Sequence, residues 1–360
     1  MLQNLTLAKS KPHIDTALIR LTSVRTKIQV ASMVPITIAA LTVAACTPDV
    51  VDPNDAINMG SAEPVASPPS EHPDGQLLQF SPILDVDQTN DLIAVRTPDA
   101  LFVGSLDQFK GNRAEKFEMD SNCGDVSANA GHFAVGCGDY IALVNSEGMH
   151  KLAVDTPVST ATVTSSGEVL AGSQSSKSVW LYNNGEFKKE FSVARETDQL
   201  QAVPVDDGAD SVVRVNKFDT TIQDLDWGTG RQGATLRAGL GVGKVAAGEH
   251  GLVLAADATG NQLLVYTTND VIRLQQSTPV PSGAWDVAWD SANQLAWVTS
   301  TAENLAAAYD ISHGVPVERA QVSTVSDAQS IAVLSDGTLL IGSASGNGLQ
   351  IISPVNSEAK

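Results

Sequence analysis

Between Gly75 and Lys360 one phrase recurs seven times: an apolar strand, a turn holding Gly, Asn or Asp, and a second apolar strand. It reads "DVDQTNDLIAV" from Asp85, "VAAGEHGLVLAA" from Val245 and "IAVLSDGTLLIGS" from Ile331. The turns fall at Asn90, Gly131, Gly167, Gly208, Gly251, Asn293 and Gly337, spaced by 41, 36, 41, 43, 42 and 44 residues. The runs are short and rich in β-branched residues, with no sustained helical period. A period near 40 with about four short strands is that of a β-propeller blade, and seven periods predict seven four-stranded antiparallel blades. The physical reason for a ring is burial. Each twisted sheet has two apolar faces that only neighbouring blades can cover, and closure leaves no long edge open. A pair of β-sandwich domains is the alternative for this length, but it gives no cause for even spacing.

The ends of the ring should meet in one blade. After Asp327 the last repeat supplies three strands, "SIAVLS", "TLLIGS" and "LQIISP", and then a polar tail, "VNSEAK". "GQLLQF" from Gly75 is strand-like yet precedes the first full repeat. Residues 76–80 are therefore expected to be the outer strand of the last blade, paired with residues 349–352.

The phrases "PSGAWDVAWDSANQLAWVTS" and "DAQSIAVLSDGTLLIGSAS" resemble the YVTN, or lactonase- and quinoprotein-like, branch of the propellers. The chain as a whole is similar to propeller lipoproteins of actinobacteria. That resemblance implies a seven-bladed ectodomain and leaves the function open, because the branch holds enzymes, scaffolds and binding proteins. A WD40 signature is missing, since Trp285-Asp286 and Trp289-Asp290 fall in the first strand and turn of a repeat.

Ahead of the repeats lies a leader. Lys9, Lys11, Arg20, Arg25 and Lys27 face one acid, Asp15, and precede an apolar run from Val34 to Ala45 that stops at Cys46. The run is shorter than the roughly 20 residues a helix needs to span a bilayer and has small residues where a signal is cut. Val43-Ala44-Ala45-Cys46 resembles the lipobox of bacterial lipoproteins, which implies cleavage before Cys46, diacylation of its sulfur and residence on the extracytoplasmic side of the cell membrane. A signal beginning at Val24 would be more compact, so Val24 is a candidate start. Residues 46–74, with six prolines from Pro48 to Pro73 and almost no large apolar side chains, should be a disordered spacer.

The chain holds 22 basic and 41 acidic residues; without residues 1–45 the balance is 17 against 40, a net charge of −23. Such a surface excludes nucleic acid and anionic head groups as partners and leaves lipid on Cys46 as the membrane contact. A monomer is expected.

Cys123 and Cys137 flank a hairpin turning at Ala130-Gly131, so they should face each other and form a disulfide outside the reducing cytoplasm. A redox pair would need CxxC spacing. The histidines at 132, 150, 250 and 313 are scattered over different repeats, and no metal set emerges. "DVDQTND" from Asp85 lacks the glycine and the final Glu of a calcium loop. "GLGVGK", residues 239–244, satisfies neither nucleotide motif, and "GSASG" from Gly342 has Ala344 where a nucleophilic serine belongs. No cofactor and no catalytic residue are predicted.

The mouth of the central channel remains. The innermost strand of each blade starts about six residues before its turn, which selects Asp85, Asp125, Thr160, Gln201, Lys244, Asp286 and Ser330. This ring is polar and mostly acidic, suited to a cation or a small polar ligand, or merely a hydrated funnel. Two functions follow: a non-enzymatic envelope platform that binds an envelope protein or small ligand, or a lactonase-like hydrolase using a metal in the channel. A quinoprotein dehydrogenase would need a Trp platform and a vicinal disulfide, which the sequence lacks.

Overall fold

The computed structural model describes residues 60–354. The leader, Val24, Cys46 and residues up to 59 lie outside the described residues.

Seven four-stranded antiparallel sheets follow one another around a central axis. Blade 1 spans residues 85–118, blade 2 127–158, blade 3 160–192, blade 4 199–237, blade 5 242–279 and blade 6 284–323. Blade 7 takes its inner three strands from residues 328–352 and its outer strand from Gln76–Leu78. Gln76, Leu77 and Leu78 pair antiparallel with Ile351, Gln350 and Leu349. The expected closure is therefore present, with a strand of three residues instead of five. The outer strand ends before Phe80 because Phe80 turns inward to pack on Phe102 and Phe109.

The core is distributed: seven hydrophobic clusters lie one at each blade interface. Alternation along one strand feeds two of them. In Leu92–Arg96, Ile93 and Val95 pack towards blade 7 while Ala94 packs towards blade 2. This is why the repeats read as nearly continuous apolar runs instead of alternating ones.

In every blade the innermost strand runs along the axis to a tight turn, and the next strand returns. The first of these turns holds Asn90 and Asp91 with φ of 48° and 61°, and the second Ala130 and Gly131 with 46° and 82°. These are the positive angles that a two-residue hairpin requires. We call this end of the ring the turn face and the opposite end the strap face.

The strap is residues 60–74. The expectation of a disordered spacer up to residue 74 is corrected for these residues: they lie extended across blades 5 to 7. Ser67 donates from N–H to Asp327 and from Oγ to the Thr301 carbonyl, and accepts from the Asp327 N–H. The Pro68 carbonyl accepts from Asn304 and Ser326, and Ser70 bonds Ser326 and the Thr324 carbonyl. Ala62 lies against Gly241 in the loop entering blade 5. Prolines disfavour a core but also lower the entropy lost when such a segment is laid down on a surface.

Candidate functional site: a blind channel with an acidic wall

The innermost strand of a blade is an edge, with backbone groups facing the axis that no further strand can pair. Side chains from the preceding blade satisfy them. Asp85 accepts from the Val126 N–H at 2.8 Å, Asp87 from Ala128 at 2.9 Å and Thr89 from Gly131 at 2.8 Å, joining blades 1 and 2. Thr160 and Thr162 do the same for Leu200 and Ala202 between blades 3 and 4, and Gln199 for Val245 between blades 4 and 5. Asp286 accepts from Ile331 at 3.0 Å between blades 6 and 7. The D-x-D-x-T alternation of residues 85–89 is thus a strand that pairs the next blade, which agrees with the failure of the calcium-loop pattern.

One contact crosses the ring. Lys244, on blade 5, places Nζ 2.6 Å from Asp85 Oδ1 on blade 1, 3.4 Å from the Leu84 carbonyl and 3.8 Å from Asp125 Oδ2. The Lys244 and Asp85 side chains are 7% and 8% exposed. A second link, Asn129 Nδ2 to Asp210 Oδ2 at 2.8 Å, joins blades 2 and 4 and shuts blade 3 out of the centre.

What remains is a cavity of about 330 Å³ lined by residues of the other six blades. At the strap face its lining is buried: Asp85, Lys244 and Asp286. At the turn face its lining is exposed: Asn90, Ala130, Pro204, Glu249 and Ser291. The cavity is a cup whose floor is the Lys244–Asp85 pair. Trp289 stands in the wall, and its buried indole N–H has no acceptor.

Of the seven expected ring residues, Asp85, Gln201, Lys244 and Asp286 line the cup. The other three do not. Asp125 sits ahead of its strand beside the Cys123–Cys137 disulfide and faces the outer side of Lys244. Thr160 is spent on Leu200 between blades. Ser330 is fully buried against Gly342, with its hydroxyl unpartnered. Blades 5, 6 and 7 each carry one extra residue near the start of the innermost strand, between Val242 and Val245, Ala284 and Val287, and Ala328 and Ser330. Such bulges re-aim side chains. The same kind of bulge lies at all three residues, yet Lys244 and Asp286 line the cup whereas Ser330 packs between sheets.

Sequence reasoning missed Asp87, a wall residue two positions beyond Asp85 on the same strand face. The period of two in "DVD" was the available signal. Burial, then the charge of Asp85, pushes the Asp87 carboxyl up to about 8. Burial also pushes Asp286 up to about 7 against the pull of Lys244, and raises Asp85. For Lys244 burial works against the charge, but Asp125, Asp85 and Asp286 outweigh it and hold the ammonium protonated beyond the usual lysine range. The cup therefore holds more acid than its one ammonium can neutralise. Among the described residues no group of three His, Cys, Asp or Glu side chains is placed to hold a metal.

The Cys123–Cys137 disulfide is present and closes the hairpin, with Gly124 N–H bonded to the Gly136 carbonyl just inside it. Neither a family model nor a curated protein matches the sequence. Solved structures do match in shape. A chain of the mitotic checkpoint complex aligns over 89% of this chain and 99% of its own, at 15% identity and a TM-score of 0.62. A streptogramin B lyase aligns over 78% and 96%, at 10% identity and 0.59. A hydrazine synthase chain of Kuenenia stuttgartiensis aligns over 79% and 99%, at 9% identity and 0.56. At such identities the likeness establishes the fold, and the chain is a seven-bladed β-propeller.

Proposed function

We propose that this chain is an extracytoplasmic lipoprotein, anchored through lipid on Cys46, whose propeller is a non-enzymatic platform that binds a small organic cation in the central cup. The observation that carries the reading is the cup itself, about 330 Å³, with Asp87 and Asp286 in excess of the single ammonium of Lys244. A concave space of this size suits a small molecule better than a protein surface, which favours a ligand over an envelope protein as the direct occupant. A bound ammonium group would favour the ionised form of Asp87, so binding should tighten as pH rises towards 8. The anchor is supported by the leader's order of charged, apolar and small residues ahead of Cys46.

Two measurements test the two halves. Cys46→Ser should move the protein from membrane to medium and abolish labelling by a fatty-acid probe; continued membrane retention would remove the anchor. Putrescine or choline should raise the melting temperature of the Cys46→Ser protein, and Asp87→Asn should abolish that shift. Equal shifts with and without Asp87 would remove the cationic ligand.

A further inference from the structure

We infer that Lys244 is a plug: it makes the channel blind at the strap face, so that solutes enter and leave the cup through the turn face alone. The inference deepens the ligand reading above and rests on it for its biological meaning, but the geometry stands without any ligand. Lys244 spans the ring from blade 5 to blade 1, and both partners of its ion pair are more than nine-tenths buried. Its lower side is further covered by Asp125 and the Leu84 carbonyl. The loop that leads into its strand, Gly239 to Gly241, is fixed from two directions. Asp257 accepts from the N–H groups of Leu240 and Gly241 at 3.0 Å each, and Ala62 of the strap packs on Gly241. The Gly243–Lys244 bulge is what turns the lysine across the axis instead of along the sheet.

The opposite mouth is shaped for entry. In the six blades that line the cup, the turns between first and second strands carry Asp91, Asp206, Asp207, Asp210, Glu249 and Asp336, no Lys or Arg, and one histidine, His250, which pairs with Asp206. A predominantly acidic rim above a low-dielectric cup concentrates cations at its entrance. The strap approaches the propeller on the plugged side.

The test is one of access. In the full chain carrying Cys46→Ser, Gln201→Cys puts a thiol in the cup wall, and its modification by a small methanethiosulfonate ethylammonium reagent is timed. A second cysteine is then placed at Ser291 on the turn face or at Leu240 on the strap face. It is first coupled to maleimide-bearing streptavidin, which is too large to enter the cup. Blocking at Ser291 should slow modification at least tenfold, and blocking at Leu240 should leave it within twofold. Adding Lys244→Met to the Ser291-blocked protein should restore fast modification through the opened floor. Slowing by the Leu240 block, or no slowing by the Ser291 block, overturns the plug. Those two arms decide the matter with Lys244 intact, even where Lys244→Met fails to fold. Loss of putrescine binding with unchanged access would reject the ligand and leave the plug standing.

Discussion

The two ends of the channel draw on the same polar residue types and behave as opposites. At the strap face Asp85 and Lys244 are buried, bonded to each other and, through Asp85, to the next blade, and are committed to holding the ring together. At the turn face Asn90, Glu249 and Ser291 are exposed and hold little beyond their own turns. The difference teaches that a polar ring read from sequence is not yet a binding site. A carboxylate tied to a backbone N–H and closed over by a lysine, as Asp85 is, serves architecture, whereas Asp87 and Asp286 accept backbone N–H groups yet also line the cavity without a lysine bonded to them, and can serve a ligand.

The largest expected effect breaks the floor. Lys244→Met leaves Asp85 buried without its cation, which should cost about 3–5 kcal/mol. Lys244→Met combined with Asp85→Asn should recover most of that loss, because the uncompensated charge goes with it. At the rim, Glu249→Gln should change stability by less than about 0.5 kcal/mol. Denaturant melts of the four proteins check the contrast, and an equal cost at floor and rim would dissolve it.

How far the sequence carried depended on whether a feature could be read from a repeat or a count. The seven turns, the closing pair of residues 76–80 with 349–352 and the Cys123–Cys137 link all arise from local periodicity or from a simple count of strands. They were legible. The bulges were not, because one extra residue among "GVGK", "AWDV" or "AQSI" leaves no compositional mark. The exclusion of blade 3 depends on Asn129 meeting Asp210 across 81 positions, and no single-sequence pattern reports that. The strap was misread for another reason. Composition says that residues 60–74 cannot form a core of their own, which is true, and says nothing about whether a neighbouring surface offers hydrogen bonds.

The cup wall should make stability depend on pH in a defined direction. Unfolded aspartates titrate near 3.8, while folded Asp87 and Asp286 are raised to about 8 and about 7. Between those limits the native chain holds more protons than the unfolded one, so these groups' contribution is complete below about pH 4 and is lost as pH rises through 7 and 8. Lys244, raised above the lysine range, adds nothing in that window. The melting temperature should therefore fall by a few degrees from pH 5 to pH 8.5, and Asp87→Asn should flatten the decline. Each kcal/mol corresponds to roughly 2 °C for a domain of this size. Parallel curves for the two proteins would show that Asp87 is not the wall acid that titrates in this window.

The strap's effect is small, and arithmetic shows why. Seven hydrogen bonds fix Ser67, Pro68 and Ser70 to blades 6 and 7. At a net of about 1 kcal/mol each they stabilise the docked state by several kcal/mol. Ordering residues 60–70 costs about 1 kcal/mol or more per residue, less where Pro64, Pro68 and Pro69 already restrict the unfolded chain. The two sums nearly cancel. Ser67→Ala removes two of the seven bonds and should cost about 1 kcal/mol at most, because the segment can detach at little further loss. Deletion of residues 75–80 strips the closing strand from Leu349–Ile352, exposes a sheet edge and uncovers Phe102 and Phe109, and should lower the melting temperature by several degrees more. Hydrogen exchange separates the two segments directly: amides of Ser67 and Ser70 should exchange through local opening, whereas those bonded between Gln76–Leu78 and Leu349–Ile351 should be protected close to the global limit. Equal protection of both would mean that strap and closing strand open as one unit and that the strap is part of the ring.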